Sequence, residues 1–172
     1  MRFLAGFFTA IVLIAGAGYL YFKMGFVPVA TASAPMPFEA MLAKMGLSAR
    51  LAKDAPGKAP IAANDSTYIA GAHVYRKNCA VCHGLPDQDK SAIAKGMYPE
   101  PPQLFVSKVA DDPPGETYWK AANGIRLTGM PGFKGSLSET EMWQVSLMLA
   151  NADKLPAGAT EVLKRPLQPA NW

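Results

Sequence analysis

The stretch NCAVCHGLP, Asn78 to Pro86, holds both cysteines of the 172-residue chain. Cys79 and Cys82 are separated by two residues, and His83 comes directly after. A structural zinc site needs four ligands, usually from two separated pairs. No second cysteine pair exists, and the other histidine, His73, lies six residues upstream of Cys79. A redox-active dithiol of the thioredoxin kind needs a βαβ setting, and no segment shows the period-2 alternation of a strand. A disulfide across two residues would close a very small loop and stabilise little. Covalent haem attachment uses all three side chains: two thioethers tether the porphyrin, and the adjacent imidazole is an axial iron ligand.

The surroundings of the motif agree with this chemistry. Phe3 to Phe22 is a run of twenty uncharged residues between Arg2 and Lys23. At helical rise it spans about 30 Å, the thickness of a bilayer's hydrocarbon core. The expectation is an uncleaved transmembrane anchor. A secretory signal is the competing reading, with small-residue sites at Ala15-Gly16-Ala17 and Ala30-Thr31-Ala32. Both readings export the remainder of the chain. The formal charge is +4, but residues 64–154 carry nine Lys/Arg against ten Asp/Glu. The basic surplus lies in the flanks. No run of basic residues interleaves with aromatics, so a nucleic-acid partner is not expected.

Residues 24–63 are rich in Ala and Pro and read as a tether of mixed stiffness. Within it, Phe38, Met41, Leu42, Met45 and Leu51 fall near helical spacing. The segment 38–53 is read as a short helix, either packed on its own domain or docking a partner. The compact domain is placed at 64–154. Asp65 or Ser66 is a candidate cap for a first helix running to about Lys77, with Ile69, Gly71, Val74 and Tyr75 on its buried face. Residues 84–110, with four prolines, read as mostly irregular. Asp112-Pro113 reads as the start of a second helix carrying Tyr118 and Trp119, which Gly124 would end. Ser138 to Glu141 fits a capping box for a third helix, whose apolar face is Met142, Trp143, Val145, Leu147 and Leu149. The fold class is all-α. Residues 155–172 are read as a tail ending in Trp172.

The far side of an iron bound at His83 needs its own ligand. Candidates are His73, Met97, Met130, Met142 and Met148. Met142 and Met148 sit at core positions of the third helix. Met97 lies in KGMYPEPP, a candidate haem-edge loop. Met130 has the strongest local signature, in RLTGMPGF. Pro131 biases it away from helical dihedrals, and Gly129 and Gly132 allow backbone to pass close to a flat ligand. A thioether there is soft and neutral, and raises the haem potential.

With these pieces placed, residues 66–154 resemble a class I monohaem cytochrome c. The resemblance rests on GAHVYRKNCAVCHG, YPEPPQLF, NGIRLTGMPGF and the helix around EMWQVSLML. It implies three main helices around one covalent haem c, here preceded by a single transmembrane helix. It implies that Gly71 and Tyr75 meet the last helix, with Trp143 packing across. It also implies that the carbonyl of Pro101 or Pro102 accepts a bond from His83, and that Leu104 touches the ring. Trp119 and Arg126 are candidate partners of the haem propionates. The implied function is carriage of single electrons between a respiratory complex or dehydrogenase and its acceptor, not catalysis. The implied place is the inner membrane of a bacterium, with the haem domain facing the periplasm. A peroxidase-like enzyme needs a displaceable distal ligand and acid–base groups beside it. A redox or gas sensor needs a labile Met130 bond and an output module.

Overall fold

The computed structural model describes residues 2–107 and 109–167. It divides into two compact units at Met41/Leu42. Among the described residues every regular element is helical.

The first unit contains α1, Arg2–Lys23. Its side chains are exposed throughout. At 1.5 Å per residue its 22 residues span about 33 Å. Thr9 donates its hydroxyl to the Ala5 carbonyl at 2.9 Å, which satisfies the polar group within the helix itself. Lys23 lies 5.8 Å from the Tyr19 ring centroid. Tyr21, Phe22 and Phe26 form an aromatic cluster at this end. α1 has the length and composition of a single-pass membrane anchor. α2, Glu39–Asp54, begins just before the division and continues into the second unit.

The second unit is built on α3, Asp65–Asn78, which crosses α7, Glu139–Leu149. The crossing is close because Gly71 has no side chain. A Cβ there would lie 2.3 Å from the Gln144 carbonyl oxygen and 2.8 Å from the Met148 Cβ. Asn64 caps α3, accepting from the Thr67 N–H at 3.0 Å, so the cap lies one residue before the Asp65 or Ser66 expected. α6, Pro114–Asn123, packs on α7. Its cap position is Pro113, not Asp112, and the Asp112 carboxylate instead pairs with Lys120 at 3.3 Å. Gly124 ends α6 with φ +68°. The capping box at Ser138 and Glu141 is formed in full. The five apolar residues expected on the α7 face are all buried. Trp143 stacks on Tyr118 at 4.3 Å and 16°. The atoms nearest Gly71 belong to Gln144 and Met148. Tyr75 packs edge-on against Phe105.

The boundary at residue 154 needs correction. Residues 157–164 form α8, Ala157–Lys164, which packs on α3. Ala159, Val162 and Leu163 are buried in the main core. Gly158 lies against Ile69, and Arg76 donates to the carbonyls of Arg165 and Pro166. The segment expected to be a free tail therefore completes the domain. The physical reason is its apolar i, i+3, i+4 triplet, which needs burial. Trp172 lies outside the described residues. Among the described residues, the segment 84–110 is irregular apart from α5, Ala92–Lys95, and a 3-10 turn at Val109–Asp111.

Candidate functional site

The CxxCH segment is shaped by helix geometry. α3 ends at Asn78, and α4, Ala80–His83, begins two residues later. The Cys79 N–H donates to the Tyr75 carbonyl at 2.8 Å, and the His83 N–H to the Cys79 carbonyl at 2.9 Å. The three reactive side chains thus stand at i, i+3 and i+4 of one turn, on one side. Gly84 stops the turn with φ +73°. A Cβ at Gly84 would lie 2.1 Å from the Gln103 Oε1. Gln103 donates to the Cys82 carbonyl at 3.2 Å, and Tyr75 donates to the Gly84 carbonyl at 2.7 Å. These two bonds tie the motif to the loop carrying Gln103 and to α3.

His83 Nδ1–H donates to the Pro102 carbonyl at 2.9 Å. Of the two prolines expected in this role, the structure selects Pro102, and Pro101 lines the cavity. The bond consumes Nδ1 and leaves the Nε2 lone pair free, the usual arrangement behind a ligating imidazole. Burial holds the His83 pKa below its ordinary value, against the opposing effect of the Pro102 bond. Burial, with the nearby Cys82, pushes the Cys79 thiol up to about 12, and burial also raises Cys82. Near neutral pH the free chain therefore presents two neutral thiols and a neutral imidazole.

The loop carrying Met130 is held by the end of α6. Phe133 and Lys134 donate their N–H groups to the carbonyls of Ala121 and Ala122, at 2.9 and 3.2 Å. Ile125 donates to the Met130 carbonyl at 3.2 Å, and the Met130 N–H to the Thr128 hydroxyl at 3.1 Å. A Cβ on Gly124 would lie 2.6 Å from the Gly132 nitrogen and 2.7 Å from the Met130 oxygen. The closeness that glycine permits here is between two stretches of backbone. Gly129 borders the same cavity as Cys79 and Met130 and lies against the Met97 thioether, whose Cε would be 1.9 Å from an added Cβ.

The CxxCH turn and the Met130 loop border a common cavity of about 320 Å³. Cys79, Cys82, His83, Met97, Met130 and Leu104 all line it. Its wall is overwhelmingly apolar, with Val145 and Leu149 of α7 as its floor. Two thiols, an imidazole with a free Nε2 and a thioether around an apolar space fit a covalently tethered haem. A second hollow, of about 610 Å³, lies beyond His83 and is bordered by neither cysteine nor any methionine. The chemistry belongs to the smaller cavity.

The remaining candidates separate by position. His73 is exposed on α3, and Met142 and Met148 are buried in α7, and none of the three lines the cavity. Trp119 and Arg126 also fall outside its wall. On α6 the inward positions are Thr117, Lys120 and Ala121, so helical spacing turns Trp119 elsewhere. Arg126 is exposed on the turn after α6. The sequence reading missed Lys120, a cavity residue lying 3.3 Å from Asp112 and 3.7 Å from Glu116. It also missed Gln103 and Leu47. The spacing of Thr117, Lys120 and Ala121 was a legible signal, whereas nothing local marked Gln103.

Fold and donor set together define a haem-binding electron-transfer domain. Residues 67–147 match the family model described as cytochrome C oxidase, cbb3-type, subunit III. The segment is a class I monohaem cytochrome c domain, and its cofactor is covalent haem c. No curated protein matches the chain.

Proposed function

We propose that this protein is a membrane-anchored c-type cytochrome that passes single electrons in a respiratory chain. In this reading Cys79 and Cys82 carry the thioethers, His83 is the proximal iron ligand and Met130 the distal one. Haem c, when bound, supplies a one-electron iron couple. The chain's residues do the rest. His83 is oriented and kept in one tautomer by Pro102. Met130 is braced through the α6 terminus, so a change of iron charge meets little rearrangement. The apolar wall excludes water and favours the less charged state of the iron.

The observation that carries the proposal is the convergence of Cys79, Cys82, His83 and Met130 on one apolar cavity. The length and composition of α1 support a single-pass membrane anchor, which this reading places in the inner membrane of a bacterium with the haem domain in the periplasm. The family description supports redox partners among respiratory complexes, with this chain as a subunit or a mobile arm. Two sets of six-coordinate ligands are available, because Met97 also faces the cavity. The test is the near-infrared Met–iron absorption of the oxidised protein. Met130→Ala is expected to abolish it and lower the midpoint potential, while Met97→Ala keeps it. The reverse pattern assigns the ligand to Met97. High-spin spectra and ready carbon monoxide binding in the unaltered protein would favour a sensor or a peroxidase instead.

A further inference from the structure

The stretch leading into the haem domain is more than a spacer. Leu51 of α2 is 6% exposed, buried as expected of a 38–53 helix packed on its own domain. The Pro56 carbonyl lies so close to α6 that a Cβ on Gly115 would stand 1.7 Å from its oxygen. The Thr67 hydroxyl donates to the Ala62 carbonyl at 2.8 Å. One turn before Leu51, on the same helix face, is Leu47, and Leu47 lines the same cavity as Cys79 and Met130. Leu42 and Met45 of the same helix are exposed at 54% and 61%. The strap is thus fixed at four points over residues 47–62, and its first point is in the cavity wall.

We propose that Leu47 is a positioning residue of the haem site, and that it raises the haem potential by holding water away from the ring. The proposal rests on the haem reading of the cavity. It adds a wall supplied by residues that precede the family-matching segment 67–147. Oxidised iron carries one more positive charge than reduced iron, and a dry, low-dielectric wall disfavours the extra charge. Reduction adds one electron from the donor and makes or breaks no bond. Trimming Leu47 admits water and favours the oxidised form. Because the strap continues through α2 toward α1 in the chain, a displacement of α2 would alter the same wall.

The experiment is an equilibrium redox titration of the full-length holoprotein in mild detergent, read by the haem spectrum. Leu47→Ala is expected to lower the reduced-to-oxidised ratio at a fixed poise by about threefold, and Leu47→Gln by more, since dielectric is a principal control of potential. Leu42→Ala, exposed on the same helix, is expected to titrate with the unaltered protein. Leu47→Val removes one methylene and supplies a smaller shift of the same sign should the larger truncation load too little haem. If the Leu47 variants load haem fully and titrate with the unaltered protein, the proposal is overturned. Absence of covalent haem from the unaltered protein would defeat the haem reading itself, a distinguishable result.

Discussion

Replacing Gly71 by alanine tests the packing on which the haem domain is built. In the middle of α3, alanine is intrinsically favoured over glycine by about 0.8–1.0 kcal/mol. The tertiary environment opposes it. The new Cβ would stand 2.3 Å from the Gln144 oxygen and 2.8 Å from the Met148 Cβ, where ordinary contact begins near 3.4 Å. Relief requires α3 and α7 to part locally by about 1 Å. Overpacking of this kind costs about 1–3 kcal/mol. The upper end applies because the obstacle is a helix carbonyl, which cannot rotate aside like the tip of a side chain. The net expectation is a loss of about 2 kcal/mol after subtracting the propensity gain. For a domain of this size that is a fall in Tm on the order of 8 °C. The control is Gly46→Ala in α2, where a Cβ meets nothing within 4 Å. It is expected to be neutral or to stabilise by up to about 1 kcal/mol. Both are measured by thermal unfolding of the holoprotein, tracked by circular dichroism. If Gly71→Ala melts at or above the unaltered protein, the close crossing of α3 and α7 is not a determinant of stability and the reasoning fails.

Leu163→Ala, at a side chain 1% exposed, is expected to cost about 2–5 kcal/mol in chemical denaturation; an unchanged midpoint would return α8 to the status of a loose tail. The Glu141 carboxyl is held below its ordinary value by bonds from the Ser138 N–H and hydroxyl. Its stabilisation is therefore present above the unfolded carboxylate pKa and is lost as pH falls through the depressed folded value, so Glu141→Gln should trail the unaltered protein at neutral pH and converge with it in acid. A constant gap across that range would contradict the linkage. Cys79→Ser and Cys82→Ser should each sharply reduce holoprotein yield, and acidified organic solvent should leave haem on the unaltered polypeptide. Free extraction of haem from it would refute attachment at these sulfurs.

Local order in the chain determined a large part of this protein. Cys79, Cys82 and His83 are placed together by the geometry of a single helical turn, so their spacing, taken with the apolar N-terminal segment and the all-α pattern, points to a haem site. The Ser138–Glu141 box and the Gly124 stop are likewise short-range devices, readable because all the atoms they join lie within a few residues. The apolar run of α1 needs nothing beyond its own length. Other choices were made across distances that local pattern does not encode. Pro101 and Pro102 are equivalent in sequence, and only the course of the loop aims the Pro102 carbonyl at His83. Five candidate distal ligands existed; the docking of the 125–134 loop on the end of α6 holds Met130 at the cavity, Met97 reaches it from the separate segment after α5, and His73 stays at the surface. α8 carries an apolar triplet, but its burial depends on packing against α3, which lies far away in the chain. Leu47 reaches the cavity from a helix whose apolar spacing left open whether it packs on its own domain or on a partner; burial of Leu51 and the fit of Pro56 on Gly115 hold the strap at the domain. Long-range packing decides such contacts, since each requires surfaces assembled from distant parts of the chain.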